Sequence, residues 1–255
     1  MKQVLAEGLN GFVFDNSDLL SNHCAHVFGA KNSDNQGNFA FSDGRDIAAA
    51  RHVRSTWCDF IGANADDMVV GGQTHTNNVQ FVEGTHKGRG ALSPTDVLPN
   101  CDGLITVTPS LPLYVAVADC SAVLLSAPGI VGVVHGGWRG LQTNILQRAV
   151  DLFICKGAAL SEIVAGIAPC IQATSYEVGP EVADGCPSSA KHRGEGDRWQ
   201  VDVALWAKAN LLELGLLEPN VEMSEIDSGV DRRVFSHRRQ GEAAGRNGLL
   251  AMLTE

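Results

Sequence analysis

Basic residues are scarce in this chain: 19 Lys and Arg against 29 Asp and Glu leave a formal charge of −10. An acidic balance of that size argues against a nucleic-acid partner and against binding to an anionic membrane surface. Paired cysteines are missing as well. The seven cysteines (24, 58, 101, 120, 155, 170 and 186) are odd in number and include no C-x-x-C, so neither a disulfide framework nor a four-cysteine zinc knuckle fits. The opening stretch MKQVLAEGLNGFVFDNSDLL carries acidic residues where a signal peptide needs an apolar run, and a cytoplasmic protein is expected. The usual short motifs are absent too: no phosphate-binding loop, no G-x-G-x-x-G after a strand, no H-E-x-x-H and no G-x-S-x-G. That removes most support for P-loop ATPases, dinucleotide dehydrogenases, zincins and serine hydrolases.

What is present is an ordinary globular composition, 44% hydrophobic and 19% charged, long enough to bury a core without staples. The one long apolar stretch, Leu111 to Val134, contains a single charge at Asp119. Pro112, Pro128, Gly129 and Gly132 divide it, and its valines favour strands, so buried strands are expected rather than a membrane span. Apolar spacing at Ile47, Ala50, Val53 and Trp57 predicts a helix over 46–61 that stops at Gly62. Strands are expected over 68–82 and 103–135, and again from Ile163 to Ile167. Leu141, Ile145, Ala149, Leu152 and Phe153 mark one helix after Gly140. A short helix is expected over 177–183 and a polar loop from Cys186 to Asp197. Asp202 serves as N-cap of a helix ending at Gly215. Gly29 to Gly44 looks like a long loop or two short strands. With no repeat and no linker, residues 1–255 read as a single α/β domain.

Three polar residues stand out in apolar surroundings: His75 in GGQTHTNNV, Cys120 in VAVADCSAVLL and His135 in GVVHGGWRG. Each alone reads as a packed core residue. A hairpin turning at Pro128-Gly129 and folded between residues 127 and 128 changes that reading. It sets Cys120 opposite His135 with Cβ atoms about 4.5–5.5 Å apart. The pair can share a zinc ion with His75 as third ligand and an open fourth position, the pattern of a catalytic zinc. Equally, Cys120 and His135 can form a thiolate-imidazolium nucleophile oriented by Asp119 or by an Asn. Beyond His135, the small residues around Arg139 lead into a helix N-terminus, a corner suited to phosphate. Arg238 and Arg246 near the C-terminus add two more candidate anion or substrate contacts, since Arg pairs in a planar fork with phosphate or carboxylate.

At these residues the sequence resembles the laccase-domain family, once called multicopper polyphenol oxidoreductases and described as purine nucleoside phosphorylases with adenosine deaminase activity. The resemblance is carried by Q-x-H at Gln73–His75, D-G-L-I-T at Asp102–Thr106, A-D-C at Ala118–Cys120 and H-G-G-W-R-G at His135–Gly140. P-C-I at Pro169–Ile171, S-Y-E-V-G at Ser175–Gly179 and S-H-R-R followed by G-R complete it. The resemblance implies a four-layer α-β-β-α sandwich with mixed sheets. It also implies zinc, with copper as the alternative ion, on His75, Cys120 and His135. The implied reactions are phosphorolysis of adenosine, inosine or methylthioadenosine to the base and ribose 1-phosphate, and deamination of adenosine. A small-molecule nucleoside and phosphate are then the partners, with no nucleic acid and no membrane. By the same alignment Asn38 and Arg54 join Arg139, Arg238 and Arg246 as substrate contacts, and Asp119 becomes an orienting group beside Cys120. Thr76, His237 and Ala244 depart from the family's Gly, Tyr and Thr. The eight histidines include no H-x-H pair, so the several-copper cluster of an oxidase is not expected. Two alternatives stay open on the residues themselves: a metal-free Cys-His hydrolase or deamidase, and a zinc-stapled interaction module without turnover.

Overall fold

Strands with two apolar faces must be covered on both sides, and the fold does so with four layers. It is a computed structural model that describes residues 1–15, 23–32, 36–41 and 46–254. One sheet runs, in hydrogen-bonded order, through β1 (Lys2–Ala6), β2 (Leu9–Val13), β3 (Cys24–Gly29), β15 (Asn247–Leu253), β7 (Leu113–Val117) and β4 (Val69–Val70). The second runs through β14 (Val221–Met223), β10 (Val164–Ile167), β8 (Ser121–Ala127), β9 (Ile130–Gly136), β6 (Gly103–Thr106) and β5 (Val79–Phe81). Both are mixed: β4–β7, β10–β14 and β5–β6 are parallel pairs among antiparallel ones. A small third sheet joins β11 (Glu177–Val178), β13 (Trp199–Val201) and β12 (Lys191–Arg193).

Side-chain alternation distributes the strands between layers. In β8, Ala122 and Leu124 enter the core between the two large sheets, where they meet Leu113, Val115, Leu249 and Ala251. Val123, Leu125 and Ala127 point outward onto the helices α3 (Ile145–Cys155) and α5 (Val203–Glu213), against Leu146, Ala149, Phe153 and Trp206. On the far side, Tyr114, Leu250 and Met252 pack against Val53 and Trp57 of α1 (Ile47–Phe60). The order is therefore α-β-β-α. Short helices α2 (Trp138–Gln142), α4 (Pro180–Ala183) and α6 (His237–Gln240) lie in the connections.

The α1 and α5 expectations agree with the structure down to their caps. Asp46 accepts from the backbone N–H of Ala48 and Ala49, and Asp202 from that of Leu205, while Gly62 takes φ 73° beyond the end of α1. Leu111 to Val134 forms β7, β8 and β9, and no helix among the described residues is long and apolar enough to cross a membrane. Other expectations need correction. The single helix after Gly140 is two helices, because Asn144 adopts a left-handed φ of 65° that an asparagine tolerates and that ends α2. The expected helix over 177–183 begins as strand β11, and helical geometry starts only at Pro180, whose fixed φ suits the first helical position. The polar loop from Cys186 to Asp197 contains β12, paired with β13. Part of Gly29–Gly44 lies outside the described residues; 36–41 there form no strand.

The β8–β9 hairpin also differs in register. Ala127 pairs with Ile130, so the turn holds Pro128 and Gly129, with Gly129 at φ 75°, and Ala122 rather than Cys120 stands opposite His135. Proline followed by a residue at positive φ is the type II turn signature, which needs both residues inside the loop. The shift is even, so Cys120 keeps the face it was assigned.

Inside the first sheet His26 is 7% exposed, and its Nε2 accepts the backbone N–H of Phe14 at 3.2 Å. Burial holds this imidazole down at about 4. Because the unfolded side chain binds its proton near pH ~6.5, stability falls as pH drops from there toward 4, by ~3 kcal/mol from this group. Urea unfolding across that range should show a shallower pH slope in His26→Leu than in the unaltered chain; identical slopes would contradict the assignment.

Candidate metal centre and its cavity

His135 is next to last in β9, on the face that Val131 and Val133 turn toward the inter-sheet core. Cys120 precedes β8 on the same face and packs against that core. His75 arrives from the other sheet, on the loop after β4, with a left-handed φ of 61°. Gln73 secures this loop by using its side-chain amide as one more rung of the ladder: its Nε2 donates to the Ala116 carbonyl at 2.7 Å and its Oε1 accepts the Ala116 N–H at 2.8 Å. Donor atoms of His75, Cys120 and His135 lie within 4.8 Å of one another, the one such group of His, Cys and carboxylate donors among the described residues. The Cys120 Sγ is 3.9 Å from His75 Nε2, and the two imidazoles meet edge to face at 4.8 Å between centroids.

Asp102, at the start of β6 and fully buried, builds this corner. Its carboxylate accepts from the backbone N–H groups of Thr74, His75 and Thr76 and from the Thr76 hydroxyl, at 2.7–3.3 Å. It also takes the Nδ1 proton of His135 at 2.8 Å. One carboxylate thus fixes the backbone of one candidate ligand and the ring of the other, leaving Nε2 of His135 toward Cys120 and His75. Burial alone would raise the Asp102 carboxyl, but the His135 and Thr76 hydrogen bonds hold it down at about 2. The Cys120 thiol follows the same logic: burial pushes it up, and the charge and hydrogen bond of His135, followed by those of His75, bring it down to about 6. His135 is pushed down by burial and carried up to about 9 by the Cys120 thiolate and Asp102.

These donors fit a borderline-soft divalent ion. A thiolate and two imidazoles suit zinc, and 3.9 Å between sulfur and nitrogen is less than the ~4.3 Å sum of a Zn–S and a Zn–N bond. A three-ligand set leaves a vertex for water or substrate. Gly137 is necessary to it: a Cβ there would stand 2.8 Å from His75 Cδ2 and 3.4 Å from Cys120 Sγ. Gly137→Ala is expected to weaken metal binding at least about tenfold without unfolding the chain, as read by chelator competition alongside circular dichroism.

The triad opens into a cavity of about 720 Å³. Trp138, Ile171, Tyr176, His237 and Arg238 are among its lining residues, as are Phe41, Arg54, Tyr114 and Arg246. Of the residues expected at the site, Asp119, Arg54, Arg238 and Arg246 line this cavity and two do not. Arg139 is exposed and lays its guanidinium on the Trp138 ring at 4.1 Å. Asn38 lines a different cavity: its side chain spans the Ala40 backbone and accepts the Arg246 N–H, making it a fastener of the chain. Asp119 is corrected in role. It sits at φ 91°, outside any strand, and its carboxylate accepts the Ser228 hydroxyl and the Arg238 backbone N–H, each at 2.6 Å. It ties α6 to the cavity rim, and Asp102 is the carboxylate that touches His135. Sequence reasoning gave Asp102 no role, although an acid set directly before the apolar Leu104-Ile105 pair was the available signal.

A family model described as multi-copper polyphenol oxidoreductase laccase matches residues 28–254. Among curated proteins, one named purine nucleoside phosphorylase from Mycobacterium tuberculosis is 31% identical over 205 residues, 77% of this chain and 76% of its own. Another, named adenosine deaminase RL5, from an unknown prokaryotic organism, is 28% identical over 214 residues, 80% of this chain and 81% of its own. Among solved structures, the hypothetical protein YfiH of Bacillus licheniformis superposes with a TM-score of 0.86 at 24% identity, covering 91% of this chain and 93% of that one.

Proposed function

Because this chain belongs to the multi-copper polyphenol oxidoreductase laccase family, whose similar members include proteins named purine nucleoside phosphorylase and adenosine deaminase, we propose that it is a zinc-dependent purine nucleoside enzyme. It cleaves adenosine, inosine or methylthioadenosine with phosphate and deaminates adenosine. The observation that carries this reading is the three-donor corner of His75, Cys120 and His135 opening into an aromatic-walled cavity.

Zinc held by these three side chains supplies a Lewis acid and lowers the pKa of water to around 7. The protein's own residues do the rest. Asp102 keeps His135 in the tautomer that offers Nε2. Trp138 and Tyr176 give flat apolar walls for a purine, and Arg238, whose guanidinium stands 4.9 Å over the Tyr176 ring, closes that side with positive charge. In phosphorolysis a phosphate oxygen bonds to C1′ while the bond from C1′ to the purine nitrogen breaks, and the purine leaves with the electron pair and gains a proton. In deamination water adds at C6 and ammonia leaves. Incubating metal-saturated protein with adenosine and phosphate is expected to yield inosine, free base and ribose 1-phosphate; none of these products at metal saturation would overturn the reading.

A second reading has its own observation in the lowered Cys120 thiol beside His135. A metal-free cysteine hydrolase or deamidase would use that thiolate as nucleophile. Iodoacetamide separates the two: a zinc thiolate is protected until chelation, whereas a nucleophile alkylates rapidly in protein shown to lack metal.

A further inference from the structure

The cavity has a second polar end, away from the donor triad. Arg54 on α1 is only 4% exposed. Its Nε donates to the Phe39 carbonyl at 2.8 Å and its Nη1 to those of Gly90 and Ala91 at 3.0 Å. The guanidinium lies 3.7 Å over the Phe41 ring and 5.1 Å from that of Tyr114. Among the described residues no carboxylate forms an ion pair with it. Carbonyls and ring faces hold the guanidinium in place, yet among the described residues its buried positive charge meets no counter-charge, which is costly.

Tyr114 is an independent witness. It is 1% exposed, lines the same cavity, and its hydroxyl has no hydrogen bond of acceptable geometry in the protein. Burial raises this phenol to about 12, against the charge of Arg54, its approach to the phenol oxygen as a donor and the charge of Arg246. Arginine can only donate to that oxygen, so the hydroxyl's own proton has no acceptor among the described residues. Val70 and Val97 pack in the same apolar cluster as Tyr114, which keeps the dielectric low and strengthens any charge pairing. Gln73 and β7 connect this end to the triad, and the three residues from Tyr114 to Val117 alone advance about 10 Å, leaving room for a base and sugar between the two ends.

We propose that Arg54, Tyr114 and Arg246 form an oxyanion subsite that receives a phosphate group, separate from the donor triad. Arg54 and Arg246 supply the charge, and the Tyr114 hydroxyl donates to a phosphate oxygen. The proposal rests on the nucleoside reading for its physiological setting, in which this is the phosphate that attacks the sugar; Arg139, turned onto Trp138 outside the cavity, does not serve.

Calorimetric titration of the zinc-loaded full chain with inorganic phosphate, alone and with saturating inosine, tests it without requiring turnover. Arg54→Met is expected to weaken phosphate binding about a hundredfold and Tyr114→Phe about five- to tenfold. Tyr114→Phe removes a hydroxyl whose proton has no acceptor among the described residues and leaves Arg54 its three backbone carbonyls, so the fold should be retained even where Arg54→Met is unstable. A parallel titration with adenosine 5′-monophosphate and adenosine distinguishes the source. Loss of free-phosphate affinity in both variants supports a co-substrate site, and loss confined to the nucleotide supports a substrate-borne phosphate. Absence of phosphate and nucleotide binding to the unaltered chain, or full affinity in the folded Tyr114→Phe variant, would overturn the proposal. Failure of nucleoside turnover alone would overturn the functional reading and leave this subsite standing.

Discussion

Replacing Cys120 by alanine is expected to lower adenosine turnover by at least about a thousandfold, ~4 kcal/mol of transition-state stabilisation at ~1.4 kcal/mol per tenfold. The magnitude follows from the geometry. Sγ is the only soft donor of the corner, and its removal leaves two imidazoles at the mouth of a wide cavity. The fold should survive, because Cys120 is half-buried at the edge of a core built by Leu113, Leu124, Val133, Leu249 and their neighbours. Kinetics and metal content must therefore fall together while the thermal transition moves little. If the variant retained metal yet lost turnover, the cysteine nucleophile of the second reading would be favoured. Acid should act on the same corner. The His135 ring must lose its Nε2 proton and the thiol its own to bind a metal, so affinity weakens as pH falls through about 9 and more steeply as it falls through about 6. Affinity that holds constant from pH ~7 down to ~5 would contradict this pairing.

Asp102→Asn is expected to weaken metal binding by about 10- to 100-fold and to destabilise the chain by ~2–3 kcal/mol. The carboxylate accepts three backbone N–H groups, one hydroxyl and the His135 ring proton. An amide offers one acceptor oxygen and sets an NH₂ group against donors. The sign of the pH effect is fixed by the depressed carboxyl, at about 2. Its contribution is fully present above pH ~4 and is lost as pH falls toward 2, so the variant's acid limb should be flatter over that interval. Chelator competition reads the first effect and urea unfolding the second. Undiminished affinity in a folded Asn variant would show that Asp102 does not hold the ligands.

The helix starts and the triad were legible because local chemistry set them, whereas the four-layer order was what the family resemblance implied. Asp46 and Asp202 announce helix starts, and Pro128-Gly129 announces the hairpin that puts Cys120 and His135 on one face. Even the mistaken hairpin register preserved the triad, since a shift of two residues leaves Cys120 and His135 on one side. Less was legible where tertiary contacts decide. Asp102 lies 33 residues before His135, and its role exists only once the 74–76 loop folds around it. Arg139 stands at a corner that suits an anion, but Trp138 next to it takes the guanidinium. Asp119 escaped the expected alternation because its backbone leaves extended geometry at φ 91°, which frees its carboxylate to fasten α6.

The account stands on one divalent ion shared by His75, Cys120 and His135. Metal-free protein titrated with zinc against a chromophoric chelator tests this most directly. It should bind one zinc per chain, with affinity lost in each of the three single alanine variants. Saturation at several ions per chain, or tight binding that survives removal of any one of these side chains, would contradict it.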